Sequence, residues 1–202
     1  EMDGQGRQAV RLACLAAAAP APGQMVMAYA LTEMEEEAQA VLATPLFLGG
    51  VMEHGFLGLP LDGRLPAGWL PGVTLQLRGP LGKGFRLPGN LRRLALVVLG
   101  DTAGRLLPLA QRGLAQGADV TIFTDQTPAG LPAAIELQSL NALPEALAWA
   151  DFLALDLPRE ELPGLRRNLH LDTGRSLPCA AQALVTTAMP CAGMAACGAC
   201  AL

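Results

Sequence analysis

From Leu91 onward the sequence alternates two kinds of apolar segment, and that alternation restricts the fold more than any other feature. "LRRLALVVLGD" is a continuous apolar run of the kind that forms a strand buried on both faces. A helix-like stretch, "AGRLLPLAQRGLAQG", follows it, and then a second strand, "ADVTIFTD". Next come "AAIELQSL", a short helix around "LPEALAWA", the strand "DFLALDLP", a helix through "REELPGLRRNLHL" and a last apolar segment, "AQALVTT". Strands alternating with helices imply parallel crossovers, so residues 89–178 are expected to form a Rossmann-like α/β domain.

Residues 1–88 have a different rhythm. The short strand-like runs "RQAVRLACLA", "QMVMAYAL", "ATPLFLGGVM" and "GVTLQLRGP" are broken by Pro22-Gly23 and Pro71-Gly72, which predicts a small β barrel or sandwich. The acidic run "TEMEEEAQ" between two of them reads as a solvated loop or a single helical turn. With 202 residues, 51% of them hydrophobic, the chain can bury a substantial core. A net charge of −4 with scattered arginines argues against nucleic acid as a partner, because phosphate binding needs a clustered positive field. No apolar run approaches the ~20 residues of a membrane span. "RQAVRLACLAAAAPAPG" imitates a secretory signal, but its apolar part is short and runs into the strand-like "PGQMVMAYA". Cys14 within it reads as a core thiol.

Residues 179–202 carry the chemistry. Three of the five cysteines, Cys191, Cys197 and Cys200, are crowded into "PCAGMAACGACAL". A disulfide framework would spread cysteines along the chain, whereas short fixed spacings point to metal ligation in a reducing compartment, here the cytoplasm. The spacing Cys-x5-Cys-x2-Cys is one residue longer than that of plant-type 2Fe-2S loops. Such a cluster is anionic, so backbone N–H groups must turn towards it. Gly193, Gly198 and the intervening alanines let the backbone wrap closely. Zinc is the alternative, although His54 and His170 are distant in sequence. Three unligated thiols are the remaining reading. A 2Fe-2S cluster takes four thiolates, and Cys179 or a cysteine beyond Leu202 could supply the fourth, the latter being the expectation.

The order of the motifs resembles the electron-transfer subunit of B-type dihydroorotate dehydrogenases, within the ferredoxin–NADP⁺ reductase superfamily. The matching pieces are "APGQMVMA", "GPLGKGF" (Gly79 to Phe85), "LALVVLGDTAG" and "MPCAGMAACGACA". The resemblance implies a flavin-binding barrel, a nicotinamide-binding α/β domain and a C-terminal 2Fe-2S loop. It implies FAD contacts at Pro45, Leu46, Gly79, Gly82 and Gly84, NAD contacts at Gly100 and Gly104, and a hetero-oligomer with a dehydrogenase as redox partner. Two departures stand out. "TPLFL" places Thr44 where the family has a phosphate-binding arginine and Phe47 where it has a serine beside the flavin, which weighs against FAD. "GDTAGRLLP" places Asp101 where a pyrophosphate would approach, which disfavours NAD by Coulomb repulsion. The expected function is electron transfer through a 2Fe-2S cluster, with one or both nucleotide sites weakened. A fully active FAD- and NAD-linked subunit and a zinc-stabilised interaction module are the alternatives.

Overall fold

The computed structural model describes residues 7–30, 43–128, 130–169, 171 and 176–189. Cys191, Cys197 and Cys200, His170 and the acidic run at 32–39 lie outside them. The described residues form two compact units, one running through Gly84 and the other spanning Phe85–Thr186. Among these residues no helix is long and apolar enough to cross a membrane.

The first unit is an antiparallel half-barrel of five strands: β1 (Val10–Ala13), β2 (Met25–Ala30), β3 (Thr44–Met52), β4 (Gly55–Pro60) and β5 (Leu75–Leu81). They lie in the order β1-β4-β3-β2-β5. Because side chains alternate along a strand, Val26, Ala28, Leu46, Leu48 and Phe56 point together into the core. The opposite face is apolar as well. Met27, Phe47 and Leu59 fall one position out of phase with the core residues and are 3%, 4% and 3% exposed. Leu59 crosses directly over Gly49, where a Cβ would stand 2.6 Å from Leu59 Cγ. β4 is absent from the predicted strands because glycines dilute the pattern of "GFLGLP". Those glycines are needed: β1 passes so close that a Cβ on Gly55 would meet the Leu12 carbonyl oxygen at 1.8 Å.

The second unit carries the expected parallel sheet. Its elements are β6 (Arg93–Val98), α1 (Leu107–Ala115), β7 (Asp119–Phe123), β8 (Ile135–Gln138), α2 (Leu143–Trp149), β9 (Phe152–Pro158), α3 (Leu162–Asn168) and β10 (Ala180–Thr186). The strand order is β10-β9-β6-β7-β8, all parallel. β6 is buried on both faces, as its unbroken apolar run requires. Leu94, Leu96 and Val98 pack with Leu106, Leu109 and Ala110 at α1. Ala95 and Val97 pack with Leu143 and Ala146 of α2 and Leu165 of α3. The chain thus leaves β6 towards one face and β9 towards the other. The neighbouring pair β6–β9 is the topological switch point, whose C-terminal edge is where open α/β sheets hold their ligands.

Candidate functional site

At the switch point, Val98, the last residue of β6, pairs with Asp156 of β9. Strand alternation places Asp156 on the α1 face, together with Phe152 and Ala154. Its side chain is fully buried, at 0% exposure. A buried carboxylate needs a charged, hydrogen-bonded partner, and Arg105 from the turn before α1 provides it. Arg105 Nε donates to Asp156 Oδ2 at 2.7 Å and Nη2 donates to Oδ1 at 3.3 Å, a two-point fork. The same Nη2 donates to Asp101 Oδ1 at 3.2 Å. Asp101 is 55% exposed and Arg105 only 2%, so Asp101 lies on the solvent side of the guanidinium.

Four backbone amides at this turn donate within the protein. The amides of Leu99 and Gly100 donate to the Asp156 carbonyl at 2.9 and 3.2 Å. The Gly104 amide donates to Thr102 Oγ1 at 3.0 Å, and the Leu106 amide to the Ala103 carbonyl at 2.9 Å. The Gln126 side-chain amide donates to the Gly100 carbonyl. A Cβ on Gly100 would lie 2.9 Å from Arg105 Nη2, so this glycine makes room for a guanidinium. A dinucleotide pyrophosphate is bound at such a turn by outward-facing N–H groups at the start of a helix. The amides of Gly100, Gly104 and Leu106 are engaged internally, and these three residues do not fit that role. Asp125, just past β7, is engaged too: it accepts from Ser139 Oγ at 2.9 Å and from the Leu140 amide at 3.0 Å. Sequence reasoning singled out Gly100, Gly104 and Asp101 but missed Arg105 and Asp156, which lie 51 residues apart.

In the half-barrel the structure brings Gly79, Gly82 and Gly84 together against the turn that precedes β2. Their φ angles are 145°, 90° and 66°. Gln24 joins the two segments: its Oε1 accepts from the Ala21 amide at 2.9 Å and its Nε2 donates to the Gly82 carbonyl at 2.8 Å. A Cβ on Gly84 would stand 3.1 Å from the Pro22 carbonyl, and one on Gly79 3.2 Å from that of Met25. Close backbone packing therefore accounts for Gly79 and Gly84 of "GPLGKGF", and a φ of 90° for Gly82. Pro45 and Leu46 lie in β3, opposite Met27 and Val26. The Leu46 side chain is fully buried in the core and offers nothing to a ligand. Across three strands runs a row of Arg78, Met27 and Pro45, one position out of phase with Thr44, and it places an exposed cation of β5 on the face away from the half-barrel core.

Two cysteines are described. Cys14 is half-buried beside the half-barrel core and burial raises its thiol pKa. Cys179, immediately before β10, is also half-buried. Burial raises its pKa and the Asp151 carboxylate adds to the rise, while a backbone hydrogen bond opposes it. Among the described residues no three His, Cys, Asp or Glu side chains are grouped to hold a metal ion.

The fold defined by these elements is that of ferredoxin-reductase-like proteins, an antiparallel half-barrel followed by a Rossmann-like sheet. Among the solved structures that share it is full-length CYP116B46 from Tepidiphilus thermophilus, with a TM-score of 0.54 at 13% identity, covering 84% of this chain and 25% of that one. The ferredoxin reductase of carbazole 1,9a-dioxygenase, in its FAD apo form, gives 0.50 at 17% identity, over 80% of this chain and 58% of that one. The Amycolatopsis reductase GcoB gives 0.52 at 15% identity, over 83% and 62% respectively. The chain therefore spans less than two thirds of the length of each. At these identities the likeness is one of fold. No protein-family profile matches the sequence, and no curated protein matches it.

Proposed function

We propose that this protein is an electron-transfer subunit of a redox complex, carrying a 2Fe-2S cluster on the thiolates of Cys191, Cys197 and Cys200. The observation that carries the reading is the Cys-x5-Cys-x2-Cys spacing in a glycine- and alanine-rich segment, on a chain with a ferredoxin-reductase-like fold. When bound, the cluster supplies one-electron transfer. The chain's own part is to ligate it and to present it to a dehydrogenase-type protein partner, a task that needs no general acid, base or nucleophile. Any FAD would draw on Pro45 and the Gly79–Gly84 segment, with Arg78 as the available cation. The internal hydrogen bonds of the Gly100 and Gly104 amides support the reading of a weakened nicotinamide site.

The test is an absorbance spectrum and iron and sulfide analysis of anaerobically purified protein. Visible thiolate-to-iron charge-transfer bands with matching iron and sulfide are expected, lost in Cys197→Ser and kept in Cys14→Ser. Colourless protein with stoichiometric zinc would favour the interaction-module reading instead.

A further inference from the structure

The switch-point crevice has an occupant of its own. We infer that Arg105 fills the place where a nucleotide phosphate would sit, and that the parallel-sheet unit excludes dinucleotides by its internally bonded turn rather than by the charge of Asp101. This goes beyond the electron-transfer reading and does not depend on the cluster.

Position is the first argument. Ligands of open α/β sheets bind at the switch point, and there β9 presents the wholly buried Asp156 opposite the last residue of β6. Arg105 reaches back from the turn and covers that carboxylate with two of its N–H groups. A planar guanidinium held in this fork has little freedom to swing away. The second argument is the state of the donors. A phosphate taking the amides of Gly104, Leu106 or Gly100 would have to displace the Thr102 hydroxyl, the Ala103 carbonyl or the Asp156 carbonyl from them. Gln126 holds the Gly100 carbonyl from the far side. The third is the glycine itself, since the space above Gly100 is taken by Arg105 Nη2. Asp101 meets the guanidinium from its solvent side and is half-exposed. Asn at that position keeps an acceptor for Nη2 and removes the charge, so Asp101→Asn separates the two explanations.

The experiment is equilibrium dialysis of the full chain with NADH and NADPH, with thermal unfolding of the same samples. Wild type and Asp101→Asn should both show no binding at about 1 mM nucleotide. Arg105→Ala should unfold at a lower temperature and regain part of the loss with millimolar ethylguanidinium, which leaves wild type unchanged. Should Arg105→Ala fail to fold, Arg105→Lys, which keeps the charge and loses the fork, should fold with a reduced unfolding temperature. Nucleotide binding by wild type, a gain of binding in Asp101→Asn, or an arginine variant as stable as wild type would each overturn the inference. None of these results alters the cluster's spectrum, so this inference and the iron–sulfur reading fail separately.

Discussion

Replacing the Arg105–Asp156 pair one side at a time, and then together, measures what the switch-point network contributes. Removing one partner of a buried ion pair typically costs ~3–5 kcal/mol, because the other charge is left in a low-dielectric interior, whereas replacing both by apolar groups of similar volume is often neutral or better. The two sides of this pair are not equivalent. Asp156→Leu leaves Arg105 with Asp101, 3.2 Å from Nη2, so the loss should fall near the lower limit, about 3 kcal/mol. Arg105→Met removes the guanidinium fork from the Asp156 carboxylate, which is 0% exposed, and its loss should approach about 5 kcal/mol. For a chain of this length ~1 kcal/mol shifts the unfolding temperature by about 2–4 °C, so both single variants should unfold roughly 6–20 °C early. Arg105→Met/Asp156→Leu should return to within about 1 kcal/mol of wild type. The assay is urea titration followed by tryptophan fluorescence in a Trp69→Phe background. The remaining reporter, Trp149, then lies in α2 and packs on the core between that helix and the sheet. A double variant as unstable as the sum of the single ones would refute the reasoning, as would an Arg105→Met variant that loses less than about 1 kcal/mol.

Three further outcomes follow from local geometry. Gly49→Ala should cost about 1–3 kcal/mol by forcing a Cβ into Leu59, and less than that in a Leu59→Ala background, as read by denaturant titration. Gly84→Ala combines a φ of 66° with a 3.1 Å approach to the Pro22 carbonyl, so a loss of at least about 1–2 kcal/mol is expected; unchanged stability would contradict the packing described for that turn. The Cys179 pKa is raised by burial and by Asp151, so at a given pH below it less thiolate is present than in a free cysteine. Its alkylation, followed by mass spectrometry at pH 8, should be slower than that of a model thiol and should accelerate as pH rises.

The elements that sequence reasoning found are those whose pattern reports a single environment. β6 and β9 are buried on both faces, and their runs, apolar but for Arg93 at the start of one and Asp156 within the other, say so directly. Pro108 at the start of α1 and Pro163 at the start of α3 sit where the absent N–H costs nothing. β4 escaped because its burial rests on glycines over which neighbouring strands pass, and a glycine carries no hydropathy signal of its own.

The same ambiguity governed the site. Glycine spacing reports that something approaches the backbone closely, but not what approaches. At Gly79 and Gly84 it is carbonyls of the Pro22–Met25 segment, and at Gly100 it is the Arg105 side chain. Each is an internal group, packed against a glycine the resemblance assigns to a cofactor contact. Asp101 points the same way. Read along the chain it is a charge set against a pyrophosphate; in the fold it is the outer partner of a guanidinium whose inner partner lies on β9. No local reading joins residues 105 and 156, because their meeting depends on the strand order that makes β6 and β9 neighbours. The cysteine loop differs in kind. Its proposed ligands lie close together in sequence, so their spacing carries the chemical argument without help from the fold, and it can be tested independently of everything at the switch point.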